Sequence, residues 1–139
     1  MALSKFIYSS VIFFIMGLLA TTFSCVGSEP KPNTSVTTLI CNGDTYPQGD
    51  PFDDSVAYVL ADLMNVTPSQ QGYNYYAVSP YPAGVAYGHA TCSLKLANSE
   101  CANCLATARG TLSTTCGGHI GGQVEMVDCG MRFENYSFT

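Results

Sequence analysis

Positive charge is scarce in this chain: five lysines and arginines stand against ten aspartates and glutamates. A surface so poor in cations offers no footprint for a phosphate backbone or an anionic lipid headgroup, which sets nucleic-acid binding aside. It also lacks the cationic amphipathic face that direct membrane lysis needs. Histidine is equally sparse, with His89 and His119 isolated from each other. Neither paired histidines nor a second Cys-x2-Cys accompanies Cys101 and Cys104, so a tetrahedral zinc set is incomplete and no metal or other cofactor is expected. The histidines read as surface or edge residues, and Asp53-Asp54 is explained by a helix dipole rather than by acid–base work, so no enzyme is expected. Long apolar runs are missing too. The stretch Val11 to Leu19 falls short of the about 20 residues that cross a bilayer as a helix.

That stretch reads instead as part of a secretory leader, with Lys5 before it and the small residues Ala20 and Ser24 after it. Ser24, Gly27 and Ser28 all end acceptable cleavage sites. Cysteine arithmetic chooses among them: of seven cysteines, Cys25 falls in this zone, and a cut after Gly27 or Ser28 leaves an even six. The expected division is a signal peptide over 1–28, a loose proline-rich arm over 29–36 and one domain over 37–139. Four basic residues then face ten acidic ones, a net charge near −6, and no membrane span remains in the mature chain. The expected location is extracellular, the apoplast. Three sequons, beginning at Asn33, Asn65 and Asn135, are compatible with that route.

The element pattern is α+β. Thr37 to Cys41 is β-branched and apolar, a first strand. Asp50 as N-cap, Pro51 at the first helical position and Asp53-Asp54 in the first turn open a helix whose stripe is Val56, Val59, Leu60 and Leu63; Pro68 ends it. Tyr73 to Ser79 and Val85 to Thr91 predict a hairpin across the turn residues Pro80, Pro82 and Gly84. Ser99 is the expected N-cap of a second helix buried through Cys101, Cys104, Leu105, Ala108 and Leu112. Gly122 to Cys129 and Met131 to Phe138 read as the last two strands, giving two helices packed on a five-stranded antiparallel sheet. If those two strands pair around Asp128 to Gly130, parity puts Gln123, Glu125, Arg132 and Glu134 outside and Val124, Met126, Met131 and Phe133 inside. The same parity sends Asp128 inward and Val127 outward, which a bulge near Cys129 would repair.

Zinc, a redox pair and structural disulfides compete for Cys101-x2-Cys104. A thioredoxin-like motif follows a strand in a reducing compartment, whereas Asn98-Ser99 precedes this one in a chain with a leader. Disulfides are the expectation, and six cysteines leave fifteen connectivities open.

The run Cys92-x8-Cys101-x2-Cys104 resembles the signature of the plant cysteine-rich secretory domain of ginkbilobin-like antifungal proteins and cysteine-rich receptor-like kinases. Gly49-Asp50-Pro51-Phe52, Leu60-Ala61-Asp62-Leu63, Tyr87-Gly88-His89-Ala90-Thr91-Cys92 and Val127-Asp128-Cys129 share the likeness, which runs from Ile40 to Phe138. It implies two helices on a five-stranded antiparallel sheet and the pairs Cys41–Cys116, Cys92–Cys101 and Cys104–Cys129. With one domain and nothing after it, the chain is similar to the free secreted form. The resemblance further implies an antifungal, mannose-binding defence protein whose partner is mannose, or the mannan of the fungal cell wall. Its sugar contacts carry over to Asn42, directly after the first cysteine, to Gln123, where the family has Arg, and to Glu134.

The chemistry suits vicinal hydroxyls: a carboxylate accepts from two of them, and an amide both donates and accepts. Gln123 lacks the charged fork of an Arg, and Arg132 on the same face is the candidate replacement. Asn42 and Glu134 are expected to be exposed. The aromatic cluster Tyr73, Tyr75, Tyr76 and Tyr81 is expected to be structural, although it could stack against sugar faces. The rival expectation is an apoplastic protein-interaction module with no sugar site.

Overall fold

A computed structural model describes residues 30–139. The leader expected over 1–28 lies outside the described residues. In chain order the elements are β1 (Val36–Cys41), α1 (Pro51–Val66), β2 (Asn74–Val78), β3 (Tyr87–Cys92), α2 (Asn98–Thr115), β4 (Gly121–Met126) and β5 (Cys129–Glu134). The strands form one antiparallel sheet in the order β1-β4-β5-β3-β2. Both helices lie on one face, α1 over β2 and β3 and α2 over β4 and β5.

Helix α1 forms as its sequence dictates. The Asp50 carboxylate accepts the Phe52 N–H at 2.9 Å, and Pro51 occupies the first position. Phe52, Val56, Val59, Leu60 and Leu63 are buried along one stripe. The helix gives way at Thr67 to a short 3-10 turn containing Pro68. Helix α2 begins two residues earlier than expected. Its N-cap is Ala97, which has no acceptor, and Glu100 reaches back to accept the Ala97 N–H at 3.2 Å. Asn98, now inside the helix, takes the Tyr73 hydroxyl at 2.7 Å.

Three disulfides, Cys41–Cys116, Cys92–Cys101 and Cys104–Cys129, join the two layers with the pairing that the resemblance implies. They close sequence separations of 75, 9 and 25 residues. On a chain-entropy account each contributes about 2.5 to 4.5 kcal/mol, comparable with the whole net stability of a small domain.

Three expectations need correction. The last strand stops at Glu134 rather than Phe138, because its neighbours begin at Tyr87 and Gly121 and nothing remains for a longer strand to pair with. The residues beyond it turn back over the sheet, Phe138 stacking on Arg132 with the guanidinium carbon 4.2 Å from the ring centre. No bulge lies near Cys129: the β4–β5 register is unbroken, Val127 and Asp128 form the hairpin turn, and the only β1–β4 irregularity falls between Val36 and Thr38. Val127 is exposed and Asp128 buried, as parity alone demanded. The N-terminal arm is not loose where it passes that turn. Asn33 donates its N–H to the Asp128 carboxylate at 2.7 Å, its carbonyl accepts the Asp128 N–H at 3.1 Å, and the Val127 N–H donates to the Ser35 carbonyl at 3.1 Å.

Two predictions follow from this packing. The Asn33 N–H and then the Lys95 ammonium, 3.1 Å from Oδ1, hold the Asp128 carboxyl below its ordinary range. A carboxylate depressed in the folded state stabilises fully above its unfolded pKa of about 3.9, and the stabilisation is lost as pH falls through the lower folded value. Protection of the Asn33 amide, its exchange rate relative to the intrinsic rate at the same pH, should therefore fall on acidification below about pH 4, and Asp128→Asn should make that protection independent of pH. Gly88 sits where α1 crosses β3: a Cβ there would overlap Val59 Cγ1 and lie 2.8 Å from Leu63 Cδ1, both fully buried. Gly88→Ala should cost about 1–3 kcal/mol in thermal or denaturant unfolding, the usual penalty of overpacking.

Candidate functional site

With both helices on one face, the other face of the sheet is bare, and the register fixes what stands on it. Ile40, Gln123, Arg132, His89 and Tyr76 are successive cross-strand partners, one row across all five strands. The next row holds Gly121, Glu134, Tyr87 and Val78, and at its β1 end the Asn42 N–H donates to the Gly121 carbonyl at 2.9 Å. On the opposite side lie Thr38, Glu125, Gly130, Thr91 and Asn74. Rows are two residues apart, about 6.8 Å along a strand.

The residues predicted to touch a sugar thus stand in adjoining rows: Asn42 and Glu134 flank Gly121, and Gln123 lies in the next. Glu134 is not exposed, however; it is only 7% accessible. The cause is Gly121 opposite it, where a Cβ would overlap Glu134 Oε2, so the carboxylate lies flat over bare backbone. Glu134 Oε1 accepts from Arg132 Nε at 3.2 Å, while the buried Oε2 has no hydrogen-bond partner. Such an orphaned acceptor costs about 1–3 kcal/mol.

The arrangement recurs on the other side of the middle row. Glu125 lies over Gly130, its cross-strand partner, and its Oε1 accepts from Gln123 Nε2 at 2.9 Å. Two glutamates covering two glycines therefore bracket the facing pair Gln123 and Arg132. No pattern in one strand reveals this; the signal is a Gly–Glu pair that becomes visible only once the register is known.

Arg132 is held from three sides, by Glu134, by the Tyr136 hydroxyl 3.1 Å from Nη2, and by the Phe138 ring. Beside it His89 stacks on Tyr76, centroids 4.0 Å apart and planes 15° from parallel, and its Nε2–H donates to Asn74 Oδ1. Burial lowers the His89 pKa from its ordinary value, against the pull of Glu125 and with a smaller push from Arg132. A shallow depression of about 180 Å³ opens between Tyr76, His89, Gln123, Glu125, Arg132 and Phe138. Asn42 and Glu134 are not in its wall; they stand one row away.

Asn42 is half-buried. Its side-chain oxygen accepts the Asp44 N–H at 3.1 Å, leaving the NH2 group as the end that can donate. His119, half-buried rather than a plain surface residue, steadies that loop through Nδ1–H to the Asn42 carbonyl. Of the four tyrosines only Tyr76 stands on the open face: Tyr73 bonds Leu96 and Asn98, Tyr75 bonds Asp62, and Tyr81 packs edge-on against Tyr58. Among the described residues no cluster of His, Cys, Asp and Glu could hold a metal ion, and no helix is long and apolar enough to cross a membrane.

The family model described as salt stress response/antifungal matches residues 40–136. Among curated relatives, the chain is 31% identical over 138 residues to antifungal protein ginkbilobin-like protein 1 of Picea glauca, covering 97% of each. It is 34% identical over 108 residues to antifungal protein ginkbilobin-2 of Ginkgo biloba, covering 76% of this chain and 80% of that one. Among solved structures, it is similar to the tandem DUF26 ectodomain of the Arabidopsis thaliana cysteine-rich receptor-like protein PDLP8, with TM-score 0.64 and 28% identity over 77% of this chain and 48% of that one. The chain thus spans about half of that ectodomain.

Gly121→Ala tests the Gly–Glu pairing. The displaced atoms are the tip of a flexible side chain on the outer face of the sheet, and lifting it also relieves the orphaned Oε2, so unfolding stability should change by less than about 1 kcal/mol. The Glu134 carboxylate should nevertheless leave the sheet, seen as faster exchange of the Arg132 Nε–H by NMR; unchanged exchange would contradict the packing described here.

Proposed function

This chain belongs to the salt stress response/antifungal family, and from that membership we propose that it is a secreted defence protein that holds mannose units of fungal cell-wall mannan on the open face of its sheet. The observation that carries the reading is the orphaned Glu134 oxygen. A buried acceptor without a donor is satisfied by a ligand hydroxyl, and a sugar brings several side by side. A hydroxyl reaches Oε2 once the flexible carboxylate lifts off the bare backbone of Gly121. Asn42 donates from the same row, and Gln123 contributes from the next.

The family's Arg is replaced by Gln123, and Arg132 supplies the missing charge. It stands directly opposite Gln123, and directly opposed residues have Cβ atoms about 4.5–5.5 Å apart, so its guanidinium serves the same patch from the neighbouring strand. Glu134, Tyr136 and Phe138 hold it in place, which limits the side-chain entropy lost on binding. Tyr76 and Phe138 add aromatic surface at the rim. Secretion is supported by the leader-like N-terminal sequence and by six paired cysteines, since such bridges persist in oxidising compartments.

A second reading, an apoplastic protein-interaction module without sugar binding, is favoured by the likeness to half of a tandem receptor-like ectodomain. Calorimetry on the oxidised protein separates the two. Mannose or a short mannoside should give measurable heat. Arg132→Gln should weaken binding roughly tenfold or more, the loss of a charge-assisted hydrogen bond of about 1.5–3 kcal/mol. Glu134→Ala should abolish it. Gln123→Arg alone sets two guanidinium groups opposite each other, so the double exchange Gln123→Arg with Arg132→Gln should recover what Arg132→Gln loses. Growth inhibition of a fungus without heat from any mannoside would favour the interaction module.

A further inference from the structure

Asn33-Thr34-Ser35, Asn65-Val66-Thr67 and Asn135-Tyr136-Ser137 are all sequons, the second already weakened in sequence by Pro68 directly after it, and the fold separates them further. We infer that Asn33 and Asn135 carry N-linked glycans and that Asn65 does not. The inference rests on export through the secretory route, which belongs to the function proposed above. An acceptor asparagine needs an accessible amide nitrogen and a free hydroxyl two residues on, the situation of a surface loop or turn.

Asn65 fails this requirement. It lies in the last turn of α1, where a helical backbone holds the amide and the residue two places on apart around the helix. Thr67 is fully buried, and Pro68 follows directly.

Asn33 meets it. The side chain is exposed and its oxygen accepts the Ser35 N–H at 3.0 Å, an Asx turn that leaves the amide nitrogen outward beside Ser35. The backbone hydrogen bonds to Asp128 keep that turn in place. Asn135 meets it differently. It is the first residue past β5, where pairing ends, and both it and Ser137 are exposed. Tyr136 between them is turned to Arg132.

The two sites stand at opposite ends of the sheet. Asn33 is beside the Val127–Asp128 turn, and Asn135 directly follows Glu134.

The test is peptide mapping of the full chain secreted by plant cells with its own leader. Enzymatic release in heavy-oxygen water marks each occupied asparagine as a labelled aspartate. Label is expected at Asn33 and Asn135 and not at Asn65; Asn33→Gln and Asn135→Gln should each remove one glycan from the intact mass, and Asn65→Gln none. An unlabelled Asn33 or Asn135 in protein recovered from the medium, or label at Asn65, overturns the inference. If the chain fails to reach the medium, the secretion reading fails, and the same chain behind a leader of established export still reports which sequons are used.

Discussion

Helix α2 is fastened to the sheet at three points, and the rest of the molecule depends on that fastening. Cys101 ties its first turn to β3 at Cys92, Cys104 ties the next turn to β5 at Cys129, and Cys116 at its end ties it to β1 at Cys41. Its own apolar stripe is thin, with Leu105, Ala108 and Leu112 beside the cysteines. Helix α1 carries Phe52, Val56, Val59, Leu60 and Leu63 and no disulfide. Hydrophobic burial holds one helix and covalent bonds hold the other. A small domain that cannot fill a large core reaches stability in this way.

Because three strands are tied to one helix, the layer order is fixed and the second face of the sheet has nothing to bury. That face is free to be polar. It uses the freedom unusually, by laying Glu134 and Glu125 flat over Gly121 and Gly130 instead of pointing them at solvent. The glycines are therefore part of the arrangement: side chains there would lift both carboxylates away from Arg132 and Gln123. The C-terminal residues complete the arrangement by folding Tyr136 and Phe138 onto Arg132.

Much of this was legible in the sequence, for identifiable reasons. Helix α1 announced itself through Asp50, Pro51 and its stripe, because caps and helical periodicity act locally. Strand parity put Gln123, Glu125, Arg132 and Glu134 on one face and Val124, Met126, Met131 and Phe133 on the other, and the register has them so. Parity holds even at Val127 and Asp128, without a bulge. Asp128 turns inward because Asn33 and Lys95 meet it there, partners about 30 residues or more away in sequence that no local pattern reveals. Tyr136 and Phe138 alternated like a strand, yet strand length is set by the neighbours, not by the residues alone. The burial of Glu134 escaped for a similar reason, since it depends on a glycine 13 residues back that only the register places opposite.

The same property of sheets bears on how a binding residue is carried from one family member to another. Alignment compares positions along a strand, so Gln123 reads as the loss of an arginine. A ligand lying on the face does not follow the chain; it meets whatever projects into a patch a few ångströms wide. Facing residues on paired strands share such a patch, and a charge on β5 at Arg132 stands within a few ångströms of one on β4 at Gln123. What changes is the support. On β5 the guanidinium lies two residues from Glu134 on the same strand and so acquires a carboxylate partner along the chain, with Tyr136 and Phe138 returning over it. The proposed sugar site is thus defined by a place on the sheet and not by one residue's position in the alignment, and the departure at Gln123 is compatible with the proposed function instead of counting against it.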